Sequence, residues 1–181
     1  MGAIIGLSDE YVVKRIKELG EETGEPIYFA NHNGPGQVVI TGSRKAIRKV
    51  CKTFKEEGAK RAVILAIGGS FHSPYMTEAE KELGEIINNT EFKYPICPIY
   101  QCVDGKPHTD PQEIKNNLII HITHSVQWTD MVNNMVRDGI TDFYEVGTDD
   151  TLQKMVIRMY PEKKVSGICH IPFYKGIIKD Y

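Results

Sequence analysis

Four short β-type runs interleaved with two amphipathic helices fill the first 67 residues, and each helix is opened by a serine and followed by a glycine. Ala3–Leu7 is apolar. Ser8 follows as a helix N-cap, with Asp9 and Glu10 placed against the positive end of the helix dipole. Val12, Val13, Ile16 and Leu19 then recur at helical spacing, and Gly20 is read as the stop. Pro26–Asn31 and Gln37–Thr41 are two β-type runs on either side of a turn cluster ending Asn33-Gly34-Pro35-Gly36, which predicts an antiparallel hairpin. Ser43 caps a second helix whose apolar face is Ala46, Ile47, Val50, Cys51 and Phe54. Gly58 closes it, and Arg61–Ile67 reads as a buried strand. The order β-α-β-β-α-β predicts a ferredoxin-like unit over residues 1–67.

Beyond Ile67 the pattern changes, which predicts a second part over 68–181. Gly68–Pro74 forms a loop before an amphipathic helix with Met76, Ala79, Leu83, Ile86 and Ile87. Tyr94–Cys102 alternates as a strand and Asp104-Gly105 turns it. Asp110-Pro111 opens a helix with Asp as N-cap and Pro at the first helical position. A helix from Thr123 or Ser125 to about Arg137, a strand Thr141–Val146, a helix Thr151–Tyr160 and a strand Val165–Ile171 complete an alternation that implies a parallel α/β layer.

Composition narrows the function classes. Lys+Arg 22 against Asp+Glu 24 leaves a net charge of −2 with no unbroken block of one sign, which argues against sequence-independent binding to nucleic acid or to an anionic membrane. No apolar run approaches a bilayer span and no basic segment precedes an apolar one at Met1–Leu7, so a soluble, cytoplasmic protein is expected. Cys51, Cys97, Cys102 and Cys169 are scattered without a Cys-x-x-Cys pair, which predicts free thiols.

Among side chains that do chemistry, His72 stands out. It sits in a loop after a strand, between Gly68-Gly69 and Pro74, where rigid scaffolds place functional groups. It is a candidate general base, or a loop histidine that hydrogen-bonds its surroundings. Ser70 and Ser73 flank it but project apart from it on an extended loop, and no Gly-x-Ser-x-Gly elbow occurs. His32, His108, His121, His124 and His170 show no metal-ligand spacing. Asn31, Asn33 and Gln37 around Gly34-Pro35-Gly36 offer donors for a phosphate or carbonyl, although turn chemistry accounts for the same residues. Trp128, at helical spacing from Met131 and Val132, reads as core. Cys169-His170 or Ser73 would suit a hydrolase by adjacency alone.

The motifs Ala3–Glu10 (AIIGLSDE), Asn31–Gly42 (NHNGPGQVVITG), Gly58–Leu65 (GAKRAVIL), Gly69–Met76 (GSFHSPYM), Ser125–Val132 (SVQWTDMV) and Asp142–Leu152 (DFYEVGTDDTL) stand in the order of the C-terminal part of malonyl-CoA:acyl carrier protein transacylases. The chain resembles these enzymes, and equally the acyltransferase domains of polyketide synthases, from residue 3 to about residue 160. The resemblance implies an α/β fold: a ferredoxin-like subdomain plus the C-terminal part of an α/β-hydrolase-like large domain. It implies a serine–histidine ping-pong transfer of a malonyl-type group from CoA to the phosphopantetheine thiol of an acyl carrier protein. No cofactor is needed; the CoA thioester is the substrate. His72 falls on the family's catalytic histidine, and His121 on the residue whose main-chain carbonyl orients it, where the family usually has Gln. Phe71 falls on the residue typical of malonyl-selective members. Asn33 and Gln37 lie within the matched segment Asn31–Gly42 and are expected to bind substrate through the donors noted above.

The family's serine elbow, oxyanion glutamine and malonyl-binding arginine lie upstream of Ala3, so the nucleophile is expected from a complementary serine-bearing half. Failing that, the chain is expected to self-associate. The family's Gly-Pro-Gly after the Glu-Val strand is replaced here by Gly147-Thr148-Asp149-Asp150. The competing reading is a non-catalytic module that docks carrier protein.

Overall fold

The computed structural model describes residues 1–168. Residues Met1–Asn134 form one compact unit and a second begins at Met135.

The first unit opens with β1 (Gly2–Ile5), α1 (Asp9–Thr23), β2 (Ile27–His32), β3 (Gln37–Gly42), α2 (Arg44–Glu56) and β4 (Arg61–Ile64), the order read from the sequence. β1 pairs antiparallel with β3 and with β4, and β2 pairs antiparallel with β3, giving the strand order β2-β3-β1-β4. Both serine caps form. Ser8 Oγ accepts from Tyr11 N at 3.3 Å and Ser43 Oγ accepts from Ala46 N at 3.1 Å. Val12, Ile16 and Leu19 of α1 and Ala46, Ile47, Val50, Cys51 and Phe54 of α2 bury their faces together with Ile4, Val38 and Ile40.

Three sequence expectations shift here. α1 runs through Gly20 to Thr23, because the left-handed C-terminal position is taken by Gly24 at φ 69°, whose N–H donates to Glu21 O. Val13 is 50% exposed, since the buried stripe of α1 is Val12, Ile16 and Leu19 alone. β4 is neither as long as Arg61–Ile67 nor buried. It lies at the end of the strand order, with Val63 and Ile64 exposed at 39% and 50%.

The compact unit continues past residue 67, where the sequence changes pattern. A short 3₁₀ turn (Pro74–Met76) leads into α3 (Thr77–Asn88), followed by β5 (Ile99–Tyr100), β6 (Pro107–His108), α4 (Pro111–Ile120) and α5 (Trp128–Arg137). The strand expected at Tyr94–Cys102 shrinks to Ile99–Tyr100, since Pro95 and Pro98 bring no N–H to a ladder. Asp110 caps α4 as expected, accepting from Gln112 N at 2.7 Å. α5 starts at Trp128, later than Thr123 or Ser125, because the preceding residues are recruited by β2. Val126 N donates to Ala30 O at 2.8 Å, His32 N to Val126 O at 2.9 Å, and Ser125 Oγ to Phe29 O at 2.7 Å. Trp128 is half-buried, so the core of α5 is Thr129, Met131 and Val132.

In the second unit β7 (Asp142–Val146) and β8 (Lys164–Ile168) pair in parallel around α6 (Thr151–Met159), the parallel arrangement the alternation implies. Carboxylates build the turn between β7 and α6. Glu145 accepts from Leu152 N and Gln153 N at 3.1 and 3.0 Å, and Asp149 accepts from Thr151 N at 3.0 Å. That bond from Thr151 N holds the Asp149 carboxyl below the usual carboxylate range. The end of the expected strand Val165–Ile171 lies outside the described residues. Among the described residues no helix is long and apolar enough to cross a membrane.

Candidate active site

His72 is the one non-glycine residue with positive φ among those described, at 59°. Such a backbone costs a residue with a Cβ about 1 kcal/mol or more and persists where its surroundings hold it. They do so here through the loop itself. Ser70 Oγ donates to Gly42 O at 2.7 Å, anchoring the loop on the end of β3, and Ser73 Oγ donates back to Ser70 O at 2.5 Å. His72 N donates to Ile122 O at 2.8 Å. Ser73 is 1% exposed and its hydroxyl is committed, so neither flanking serine is presented as a nucleophile.

The ring of His72 is held by the C-terminal end of α4. A helix leaves its last carbonyls without intrahelical partners. Ile120 O is taken up by Thr123 N and His124 N, while His121 O and His124 O turn toward His72 Nδ1, each at 3.1 Å. Carbonyl oxygens only accept, so Nδ1 carries the proton and the lone pair of the neutral ring is on Nε2. Nε2 meets no hydrogen-bond partner among the described residues. Thr123 Oγ1 bonds Glu80 of α3, tying the turn after α4 to the helix that follows the His72 loop.

His121 therefore meets His72 twice, through its carbonyl and through its ring, whose centroid is 5.2 Å away at a tilt of 43°. Burial, and then the neighbouring His72, push the pKa of the His121 imidazole below its ordinary value, which favours the uncharged ring. Its Nε2 is buried without a hydrogen-bond partner among the described residues, and His121 lines a cavity of about 390 Å³ together with Cys102, Ile114 and Leu118.

Phe71, 37% exposed, stands beside His72 with its ring over Gly69, where a Cβ would come within 3.0 Å of Phe71 Cε2. Asn33 and Gln37 are brought together elsewhere, at the tip of the β2–β3 hairpin. Asn33 N donates to Gln37 O at 3.1 Å and Gln37 N to Gly34 O at 2.9 Å. Asp9 braces the tip by accepting from Gly36 N and pairing with His32 Nε2 at 2.8 Å. No hydrogen bond joins Asn33 or Gln37 to His72 among the described residues, and the backbone groups of the tip are used by the turn itself. Cys169 and His170 lie outside the described residues.

Sequence reasoning placed His72 and the carbonyl of His121 but missed the carbonyls of Ile122 and His124. The signal was available in the Asp110-Pro111 helix start. Ten helical residues onward, the chain must turn with several carbonyls unspent.

No family model matches the sequence. The malonyl CoA-acyl carrier protein transacylase of Haemophilus influenzae is 31% identical over 177 residues, covering 98% of this chain and 56% of that protein. A crystal structure of an acyl carrier protein S-malonyltransferase from Vibrio cholerae is 32% identical with a TM-score of 0.87, covering 97% of this chain and 57% of the other. A type II polyketide synthase malonyl-transacylase, solved with its acyl-carrier protein, is 30% identical with a TM-score of 0.84 over 93% of this chain and 53% of the other. Along nearly its whole length the chain is homologous to malonyl CoA-acyl carrier protein transacylases, and it spans about half the length of such a protein.

Proposed function

We propose that this chain is the histidine-bearing part of an acyl carrier protein S-malonyltransferase. In this reading β1 to β4 with α1 and α2 form its ferredoxin-like subdomain, and the residues from 68 onward belong to the hydrolase-like large subdomain. The observation that carries the proposal is the His72 ring, fixed at Nδ1 by two carbonyls with its Nε2 lone pair unspent. That is the posture of a general base.

A serine from the complementary part attacks the thioester carbonyl of malonyl-CoA while His72 Nε2 takes its hydroxyl proton. The tetrahedral adduct collapses, the C–S bond breaks, and Nε2 returns the proton to the departing thiolate. The thiol of a phosphopantetheine arm then attacks the acyl-serine by the same steps in reverse order. As the ring becomes imidazolium, the carbonyls of His121 and His124 face its positive charge, filling the role that a carboxylate plays in other triads. Phe71, next to the base, crowds an α-branch on the acyl group and favours malonyl. Asn33 and Gln37, on their separate hairpin tip, would contact the pantetheine or nucleotide portion of the substrate.

The carrier partner is supported by the relative solved with its acyl-carrier protein. The sequence contains no Gly-x-Ser-x-Gly elbow and covers 56% of the Haemophilus influenzae relative, and in this reading the serine comes from residues outside it. The test is reconstitution. The chain alone should transfer no malonyl group to carrier protein, and addition of a separately produced serine-bearing part should restore transfer, with the acyl group trapped on that serine. Acylation of this chain alone would overturn the reading. Carrier binding with no transfer in the reconstituted mixture would favour a non-catalytic docking module.

A further inference from the structure

α3 runs antiparallel along α4 and the turn that follows it, in a register kept over about 12 Å of helix. Glu80 accepts from Thr123 Oγ1, a Cβ on Gly84 would lie 3.3 Å from Ile119 Cγ2, and Asn88 O accepts from Lys115 Nζ at 3.2 Å. Each step of four residues forward on α3 is thus a step of four back toward the start of α4. Residues four apart lie on one side of a helix, so 80, 84 and 88 make the stripe of α3 that faces α4. Glu80 is the carboxyl group of that stripe, and it stands at the C-terminal end of α4. The negative end of a helix dipole and its unspent carbonyls disfavour a carboxylate at that end, so a donor must hold it there.

Thr123 is that donor. Its hydroxyl has one proton and two oxygens in reach, Glu80 Oε2 and Ile120 O at 3.0 Å. Ile120 O already accepts from Thr123 N and His124 N at 3.1 Å each and from His124 Nδ1 at 2.8 Å, and a carboxylate is the stronger acceptor, so the proton goes to Glu80. Thr123 stands inside the turn that holds the candidate base. Ile122 O accepts from His72 N at 2.8 Å, and His121 O and His124 O face His72 Nδ1 at 3.1 Å. α3, which carries Glu80, is the helix into which the His72 loop runs. The bond from Thr123 to Glu80 therefore joins the element that carries His72 to the turn on which its ring leans.

We propose that Glu80 is a positioning residue for His72: through the Thr123 hydroxyl it fixes the turn 121–124, and so holds the ring with its proton on Nδ1 and its lone pair on Nε2. This rests on the function proposed above. It adds a carboxylate that acts at one remove, where other serine–histidine sites set one directly against the ring. No hydrogen bond joins Glu80 to His72 among the described residues, so the effect passes through the turn. When Glu80 is removed, the Thr123 hydroxyl falls back on Ile120 O, and α4 keeps its end while the turn loses its tie to α3. The site is then loosened without being unfolded, and a displacement of about 1 Å is enough to slow a positioned proton transfer.

The test reads the His72 ring in the full chain by long-range proton–nitrogen NMR, in which protonated and lone-pair ring nitrogens separate by chemical shift. Wild type is compared with Glu80→Ala, Thr123→Val, Thr123→Ser and Glu82→Ala, the last a control at an exposed position of α3. Circular dichroism checks the fold of each. Wild type, Thr123→Ser and Glu82→Ala should hold the proton on Nδ1. Glu80→Ala and Thr123→Val should raise the Nε2-protonated form by about fivefold to tenfold, the scale of one lost hydrogen bond, and lower kcat of the reconstituted transfer by a like factor with KM unchanged. A wild-type tautomer ratio in either of these two variants, or an equal change in Glu82→Ala, would overturn the proposal. So would a change in Thr123→Ser as large as that in Thr123→Val. The ring is read in the chain alone, so the expected tautomer pattern with no transfer in the reconstituted mixture would count against the catalytic reading and leave the hold of Glu80 on His72 standing.

Discussion

The main-chain oxygen of His121 lies 3.1 Å from Nδ1 of His72, and the two ring centroids are 5.2 Å apart at a tilt of 43°, so the residue that orients the candidate base also packs against it. The two roles are separable by substitution. His121→Gln keeps the carbonyl and removes the ring, and it is expected to lower the reconstituted transfer rate by less than tenfold. Losses as large as those of a His72 variant would show that the imidazole of His121 takes part directly.

How far the sequence foretold this arrangement depended on how local each feature is. Ser8, Ser43 and Asp110 announced their helices because a cap needs one side chain and a backbone N–H two or three residues away. Val12, Ile16 and Leu19 announced a buried face because helical spacing is a local property. The later start of α5 was not legible, since it depends on Val126 pairing with Ala30 and His32, residues far away in the chain. β4 misled for a related reason. An apolar run such as Arg61–Ile67 signals burial, but its place at the end of a sheet is decided by topology. In the site, His72 and the carbonyl of His121 came through the resemblance, and the convergence of three carbonyls on one residue required coordinates.

A pH-dependent clasp holds the β5–β6 hairpin to α4. His108 bonds Asp104 at 3.0 Å and Glu113 at 3.2 Å. Partial burial opposes its charge, but the bonds to Glu113 and Asp104 prevail and raise its pKa above the ordinary value. A group whose folded pKa is raised contributes stability that is complete below its unfolded value, about 6.5, and is lost as pH rises through the folded value. Hydrogen-exchange protection at Gln101 N and Gly105 N, which close this hairpin, should therefore fall as pH rises through the raised His108 pKa once intrinsic exchange is accounted for. His108→Gln should remove that extra pH dependence. A wild-type dependence identical to that of the variant would contradict the clasp.

Phe54 is fully buried between α2 and the sheet. Phe54→Ala should cost about 3–5 kcal/mol, the usual cost of an aromatic cavity in a packed core. That loss, measured by denaturant unfolding, should unfold much of the chain at ambient temperature. Ser43→Ala, which removes only the cap of the same helix, should cost about 1 kcal/mol.

Apolar side chains along the edge of the first sheet remain uncovered in the single chain. Val63 and Ile64 on β4, and Ile67 beyond it, are 39%, 50% and 43% exposed. An open strand edge beside apolar surface invites pairing. In the absence of a complementary part the chain is expected to self-associate, burying at least about 1,000 Å² in total. Val63→Lys/Ile64→Lys should shift it toward monomer in sedimentation velocity. A monodisperse wild-type monomer that binds no apolar dye would contradict this.

The central claim, that His72 Nε2 removes the proton from a serine supplied by the complementary part, is tested most directly by rapid-quench measurement of serine acylation in the reconstituted pair. With His72→Ala the acylation rate constant should fall by about 10²–10⁴-fold, while carrier binding and the circular dichroism spectrum stay unchanged. Acylation at an undiminished rate without the imidazole would contradict the account.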